Sequence, residues 1–318
     1  MKKGVVIGRF MPLHKGHEHL INTARAACEQ LMILVVSHEG EPIPGWQRYA
    51  WVKNTWPELD VRHLVVPADN RPADQAGLLG QVGVGPDGTC TVYYGENQAA
   101  YWSEHPETSG ACIPMWPQES PFLSSDIRNN PALFQTALSP LVRAFYILRV
   151  ALVGPESCGK SYLAEALAAH FQTVFVEEYG RTYCEKYGMD LSELDFAHIA
   201  GGQLYREDEM AQQANQILFC DTDLMITQVW SEIYFQGRCQ SWIMQADHER
   251  RYALYLLLAP DIPWVNDGLR EYEAQREWMF DRLKNELEAR WLPHVIIRGN
   301  YEHRTRQAIE AVAKLLDR

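Results

Sequence analysis

Apolar residues fall in short runs separated by stretches of helical spacing, and the two patterns alternate along the whole chain. In the first half, residues 4–8 (with Val5-Val6-Ile7), 32–36 and 63–66 read as strands. Between them, a segment through Leu20, Ala24, Ala27 and Cys28 and another around Gln47 to Trp56 read as helices. Strand–helix–strand order predicts a parallel sheet. Residues 72–88, mixed in polarity and rich in Gly and Pro, form an irregular connection before a strand at 91–94, and a loop at 105–110 precedes an apolar segment at 112–116. Ser124-Ser125-Asp126 supplies helix N-caps before Ile127-Arg128, and that short helix ends near Pro131 or resumes beyond it.

Ser139-Pro140 opens the connection to a second half, so the expected domains are 1–143 and 144–318. The alternation repeats there, with strands at 147–153, 173–176, 217–220, 253–258 and 294–297, a long helix ending near Gln216 and a closing helix at 302–316. No internal repeat or low-complexity tract interrupts it. The fold class is α/β, with two parallel-sheet domains.

The richest local chemistry lies at the start of that second half. Gly154-Pro155-Glu156-Ser157-Cys158-Gly159-Lys160-Ser161 fits the P-loop pattern GxxxxGKS/T, with a strand before it and a helical pattern at 162–171 after it. Glycines let the backbone wrap a phosphate chain, Lys160 reaches the β- and γ-phosphates, and the Ser161 hydroxyl holds Mg²⁺. The expected ligand is ATP, as co-substrate. Asp221, ending a strand at the P-loop edge, reads as the carboxylate that completes the Mg²⁺ site.

Composition narrows the setting. The 318 residues are 47% hydrophobic, enough for two cores. With 29 Lys+Arg against 41 Asp+Glu, the net charge of −12 opposes nucleic-acid or anionic-membrane binding and leaves only local anion sites. Seven cysteines, an odd number without CxxC pairs, read as reduced thiols. No leader or membrane-length apolar run is visible, so a cytoplasmic protein is expected.

At the end of the first strand stands Gly8-Arg9-Phe10-Met11-Pro12-Leu13-His14-Lys15-Gly16-His17, two histidines three apart around a glycine on the binding edge of an open sheet. With Ser124 to Arg128 downstream, the pattern resembles the HxGH nucleotidyltransferases, whose GxFxPxHxGH string is completed by an ISSTxIR helix start. The resemblance implies a Rossmann-like domain in which a substrate phosphate attacks the α-phosphorus of ATP without a covalent intermediate, so catalysis is positioning and charge stabilisation. It places His14 and His17 on the phosphates, Gly8, Arg9, Phe10, Lys15, Gly16, Ser124 and Ser125 around the ATP, and Arg128 against the leaving pyrophosphate. Phe122 and Leu123 depart from the second motif.

An HxGH domain followed by a P-loop kinase domain, together with Glu177-Glu178-Tyr179-Gly180-Arg181, Asp221-Thr222-Asp223 and Pro263-Trp264 to Leu269-Arg270, resembles the NadR-type bifunctional enzymes over essentially the entire chain. Such enzymes phosphorylate nicotinamide riboside to the mononucleotide (NMN) and adenylylate NMN to NAD. Some carry an N-terminal helix-turn-helix domain; this chain begins at the adenylyltransferase strand, so no DNA binding is implied. Glu177, Glu178 and Asp223 are all candidates to orient the ribose hydroxyl and accept its proton, and the sequence does not rank them. Arg270 is placed to reach the transferring phosphoryl group, and Arg181 lies beside the acidic pair. Trp46, Trp51, Trp102, Tyr179 and Trp264 are candidates to stack on nicotinamide, and Arg48 to bind the mononucleotide phosphate. Three alternatives remain open: another substrate pair of the HxGH class, a competent kinase with a weak adenylyltransferase, and an ATP/NAD sensor acting through a protein partner. Homo-oligomerisation is also left open.

Overall fold

The computed structural model describes residues 2–66, 78–80, 90–95, 98–104, 110–112, 123–265 and 273–317. Most of the expected connections at 72–88 and 105–110, the end of the 112–116 segment, Phe122 and Arg270 lie outside the described residues. Contacts divide the chain into two compact units, Met1–Arg143 and Ala144–Arg318.

The first unit is a sheet of β1 (Lys3–Gly8), β2 (Gln30–Ser37), β3 (Asp60–Val65), β4 (Cys90–Tyr94) and β5 (Gly110–Cys112), in the order β3-β2-β1-β4-β5, every pair parallel. Helix α1 (Lys15–Ala27) buries Gly16, Leu20, Ile21 and Ala24, one stripe at helical spacing, and α2 (Gly45–Thr55) follows β2. The chain winds outward from β1 to β3 and returns to β4 on the other side. The crevice at the carboxyl ends of β1 and β4 is therefore the topological switch point, where such sheets bind ligands. Helix α3 (Ser124–Asn129) is followed by a 3₁₀ segment at Pro131–Ala137. The break between them is Asn130, held at φ −146° and ψ 72° ahead of the proline.

The second unit contains β6 (Leu148–Val153), β7 (Phe175–Val176), β8 (Ile217–Asp221), β9 (Leu254–Leu258) and β10 (His294–Ile297), all parallel in the order β10-β9-β6-β8-β7. Because side chains alternate along a strand, Ala151, Val153, Leu218 and Leu257 enter one apolar cluster, while Val150, Leu152, Phe219 and Leu256 enter the other. Burial on both faces explains why β8 and β9 read as unbroken apolar runs. Its helices are α4 (Lys160–His170), α5 (Tyr179–Tyr187), α6 (Glu193–Ala211), α7 (Leu224–Tyr234), α8 (Ser241–Glu249), α9 (Arg276–Ala289) and α10 (Tyr301–Leu316). Two boundaries differ from expectation. β7 starts later than 173 because the Thr173 hydroxyl bridges to its neighbours, donating to the Ile217 carbonyl at 2.6 Å and accepting from the Asn215 N–H at 2.9 Å. Helix α6 stops at Ala211 because the chain turns back on Met210 and enters β8 through Gln216 at φ +62°.

The C-terminal part of α6 is fixed by Glu207, which is fully buried and accepts from the Tyr252 hydroxyl at 2.8 Å and from Arg250 Nε and Nη2 at 3.0 and 2.9 Å. Removing one partner of a buried ion pair strands the other charge. Arg250→Met is expected to lower stability by about 3 kcal/mol in denaturant titration, with Tyr252→Phe costing less.

Candidate active sites

In the first unit the chain leaves β1 through Gly8 and turns at Phe10, which is buried with φ +47° and packs edge-on against His17, ring centroids 5.1 Å apart. His14 occupies the N-cap of α1, its Nδ1 accepting from the His17 N–H at 3.4 Å. The two imidazoles stack with centroids 3.8 Å apart, and His14 Nε2 lies 3.0 Å from the Ser124 hydroxyl. Arg128 Nη1 donates to the Met11 carbonyl. The first turn of α3 is thus bolted to the loop after β1, bringing His14, His17, Ser124, Ser125 and Arg128 to one edge. Gly16 is buried between the histidines, whereas Lys15 points to solvent.

Leu123 stands at the N-cap of α3 and offers no side-chain acceptor there; Asp126 supplies the reciprocal half of the cap, accepting from the Leu123 N–H at 2.8 Å. The departure from the expected motif therefore leaves the Ser124–His14 contact in place. Burial pushes the His14 imidazole down to about 4, and burial followed by the nearby His14 pushes His17 well below its ordinary value. Both rings are neutral near pH 7. They present hydrogen bonds rather than charge, and an arriving polyphosphate would raise both.

Four residues expected in this unit's site take other places. Arg48 is fully buried, donating to the carbonyls of Arg9 (2.7 Å), Val36 (3.3 Å) and Pro44 (3.5 Å) and pairing with Glu41. Its guanidinium braces the loops after β1 and β2, which corrects the expectation of a phosphate ligand. Trp102 stacks on Tyr94 inside the apolar core, and Trp51 is buried likewise. Trp46 projects into solvent at 64% exposure. Glu41, not singled out from the sequence, also pairs with Arg9, whose side chain remains 45% exposed.

In the second unit β6 runs directly into the P-loop. Gly154 (φ +154°) leaves no room for a Cβ, which would meet the Leu258 carbonyl at 2.7 Å, and Gly159 (φ +84°) opens α4 in the left-handed region. Lys160 Nζ donates to the Gly154 and Pro155 carbonyls, each at 3.0 Å. Burial alone would lower its ammonium, but Cys158, Glu178, Asp221 and Glu156 together raise it, so it stays charged. Asp221 ends β8 at 1% exposure, with one buried oxygen lacking a partner and a hydrogen bond to Ser161. Burial and then Glu178 push it up to about 6, against the pull of Lys160 and Ser161. A carboxylate and a hydroxyl held together, with an unspent oxygen, suit a hard divalent cation shared with a phosphate chain. Among the described residues no group of three or more His, Cys, Asp and Glu forms a closed metal cage.

A cavity of about 380 Å³ extends from the P-loop. It is lined by residues 156–162 with Glu178, Arg181 and Thr222, and its apolar wall includes Met189, Leu191, Phe196, Ile199, Trp230 and Tyr234. Glu178 is the carboxylate of the acidic pair that faces this space. Glu177 points to solvent and borders a separate cleft beside Arg206 and Glu209. Asp223 is also corrected. Thr222 at φ +83° breaks the strand alternation that would set Asp223 beside Asp221. Instead Asp223 is fully buried and caps α7, accepting from the Ile226 N–H at 3.1 Å; burial and then Asp247 push its carboxyl well above the usual range.

Tyr179 fills the space left by Gly202 and lies beneath the Arg206 guanidinium at 4.7 Å, so it packs against α6 and does not line the cavity. Trp264 lies 5.7 Å from the Arg276 guanidinium, also off the cavity wall, and Arg270 lies outside the described residues. Trp230 and Tyr234, one helical turn apart on α7, were missed because their spacing reads as core. Arg276 and Arg304, bonded to P-loop carbonyls, carry no local motif.

Fold and geometry together define a two-unit α/β protein, each unit carrying its motif-bearing turn after its central strand. A family model described as "AAA domain" matches residues 149–304, the heart of the second unit. Over 98% of its length the chain is similar to NadR proteins. It is 28% identical to the trifunctional NAD biosynthesis/regulator protein NadR of Escherichia coli (strain K12) and 27% identical to that of Salmonella typhimurium, in each case spanning 83% of the relative. Its fold is that of a NadR crystal structure in complex with NR (TM-score 0.77, 23% identity, 98% of this chain and 95% of that one). A NadR structure in complex with NAD and AMP-PNP fits equally well (TM-score 0.76, 22% identity, 99% and 96%). No helix among the described residues is long and apolar enough to cross a membrane.

The His14 environment makes a pH prediction. Its folded-state value of about 4 lies below the ordinary 6.5, so the stability held by the neutral ring is complete above pH 6.5 and is lost as pH falls from 6.5 through about 4. That loss is about 3 kcal/mol. In denaturant titrations at pH 7 and pH 4, His14→Gln should show a correspondingly shallower acid dependence.

Proposed function

We propose that the protein is a bifunctional enzyme of NAD biosynthesis. Its second unit phosphorylates nicotinamide riboside with ATP to give NMN, and its first unit transfers AMP from ATP to NMN, giving NAD and pyrophosphate. The observation that carries this reading is the presence of both phosphate-binding turns, each with its completing residues in contact, on a chain homologous to NadR from end to end. The solved relatives are described as complexes with NR and with NAD and AMP-PNP, which fits the ligands proposed here.

In the kinase unit, Ser161 and Asp221 would hold Mg²⁺, which would supply positive charge to offset that of the phosphate chain. Lys160 exchanges the Gly154 and Pro155 carbonyls for phosphate oxygens. Glu178 faces the cavity and orients the ribose hydroxyl, accepting its proton as the γ-phosphoryl group transfers. Trp230 and Tyr234 form the aromatic wall for the planar, cationic nicotinamide ring. In the adenylyltransferase unit, His14 and His17 donate hydrogen bonds to the polyphosphate as the NMN phosphate attacks the α-phosphorus. Ser125 and the first turn of α3 bind the distal phosphates, while Arg128 offsets the charge on departing pyrophosphate.

The acidic net charge of −12 opposes nucleic acid and leaves small anions to local sites, and the six described cysteines, all free thiols, fit a reducing cytoplasm.

The test is incubation of purified protein with nicotinamide riboside, ATP and Mg²⁺, with NMN and NAD followed by chromatography. NAD should form with the parent, neither product with Lys160→Ala, and NMN alone with His17→Ala. NMN without NAD in the parent would instead assign a weak adenylyltransferase, and no product at all would exclude this substrate pair. Trp230→Ala should raise KM for the riboside about tenfold, roughly 1.4 kcal/mol of lost stacking, with KM for ATP little changed.

A further inference from the structure

Two arginines remote in sequence from the P-loop are both buried against it. Arg276 opens α9 at 9% exposure; its Nη2 donates to the Ser157 carbonyl at 3.1 Å, and Nη1 and Nη2 both reach the Ile262 carbonyl at 3.2 Å. Arg304, in the first turn of α10 at 2% exposure, donates to the carbonyls of Cys158 (2.7 Å), Ala259 (2.7 Å) and Gly299 (2.6 Å) and pairs with Asp261. In a trans peptide the C=O and the following N–H point in opposite directions. Carbonyls of Ser157 and Cys158 held outward by the two guanidinium groups therefore turn the N–H groups of Cys158 and Gly159 the other way, toward the concave side of the loop. Ser157 at φ +54° and Gly159 at φ +84° supply the left-handed positions that such an anion nest requires.

We infer that Arg276 and Arg304 are positioning residues that hold the P-loop in its anion-binding shape before nucleotide arrives, aiming its backbone donors at the phosphate chain without touching it. Loops of this kind are otherwise free to rotate their peptides when empty, and the ordering would then oppose binding. The same Ser157 residue is held a second time, its hydroxyl accepting from the Val265 N–H at 2.8 Å. Arg276 is thus the anchor most specific to the loop, while Arg304 also ties together Ala259, Asp261 and Gly299.

The inference rests on the kinase reading only for the choice of nicotinamide riboside as a second ligand, which belongs at the apolar wall of the cavity. Calorimetry on the full chain would measure inorganic tripolyphosphate, taking the signal that Lys160→Ala abolishes, and riboside separately. Arg276→Met should weaken tripolyphosphate at least tenfold and leave riboside affinity within about twofold. Arg276→Lys should recover only part of the loss, since one ammonium does not span the Ser157 and Ile262 carbonyls. Unchanged tripolyphosphate affinity, or equal losses for both ligands, would overturn the inference. If the parent does not bind riboside, the substrate reading fails alone. The thermal midpoint then decides: tripolyphosphate loss at an unchanged midpoint supports the inference, and loss with a fallen midpoint overturns it. Should Arg276→Met fail to fold, Arg276→Lys carries the same comparison.

Discussion

Both units depend on a single constraint, which is that the chain must leave the central strand of a parallel sheet and begin a helix within a few residues, with backbone N–H groups gathered at the turn. In the first unit this is the passage from Gly8 to His14, and in the second from Val153 to Lys160. The backbone reaches the helix only through left-handed positions, Phe10 in one turn and Ser157 and Gly159 in the other. Each turn is also gripped from outside its own sequence. Arg128 from α3 grips the first at Met11, and Arg276 and Arg304 grip the second at Ser157 and Cys158. The fold around each sheet serves to bring those distant donors to the turn.

Electrostatics at the two turns follow a shared logic. His14 and His17 are neutral because burial removes the water that would stabilise their charge, and Asp221 is pushed up by burial and by Glu178. Each group sits where a polyphosphate or its cation would reverse the shift. The two histidines thereby avoid an unpaired buried charge, which a small domain tolerates poorly. Lys160 is the exception. It remains charged beside Cys158, Glu178, Asp221 and Glu156, and its ammonium rests on the Gly154 and Pro155 carbonyls, contacts that a phosphate chain can replace.

Patterns that repeat with the backbone period were legible in the sequence. Alternating apolar runs and helical stripes placed nearly every strand and helix, because burial against a sheet enforces those periods. Motif strings placed the two turns. What stayed hidden depends on one dihedral angle or on a distant contact. Asp223 would share the face of Asp221 if the strand continued, but Thr222 in the left-handed region redirects it to cap α7. Arg48 looks like a surface cation until the carbonyls of Arg9, Val36 and Pro44 close over it.

The hardest residues to read were those whose use belongs to tertiary structure alone. Trp230 and Tyr234 lie in a helix that also buries Leu224, Met225 and Val229, so aromatic character by itself did not separate cavity wall from core. Trp102 shows the reverse, an aromatic beside the expected site that fills the core instead. Arginine gives a physical criterion that composition lacks. A guanidinium has five donors in a rigid fork, and burying it is tolerable only where several acceptors converge. Among the described residues, the buried arginines Arg48, Arg276 and Arg304 all bond to carbonyls of loops at the carboxyl edge of a sheet. Burial of that residue type marks the loops whose shape the protein fixes, and two of the three fix the P-loop.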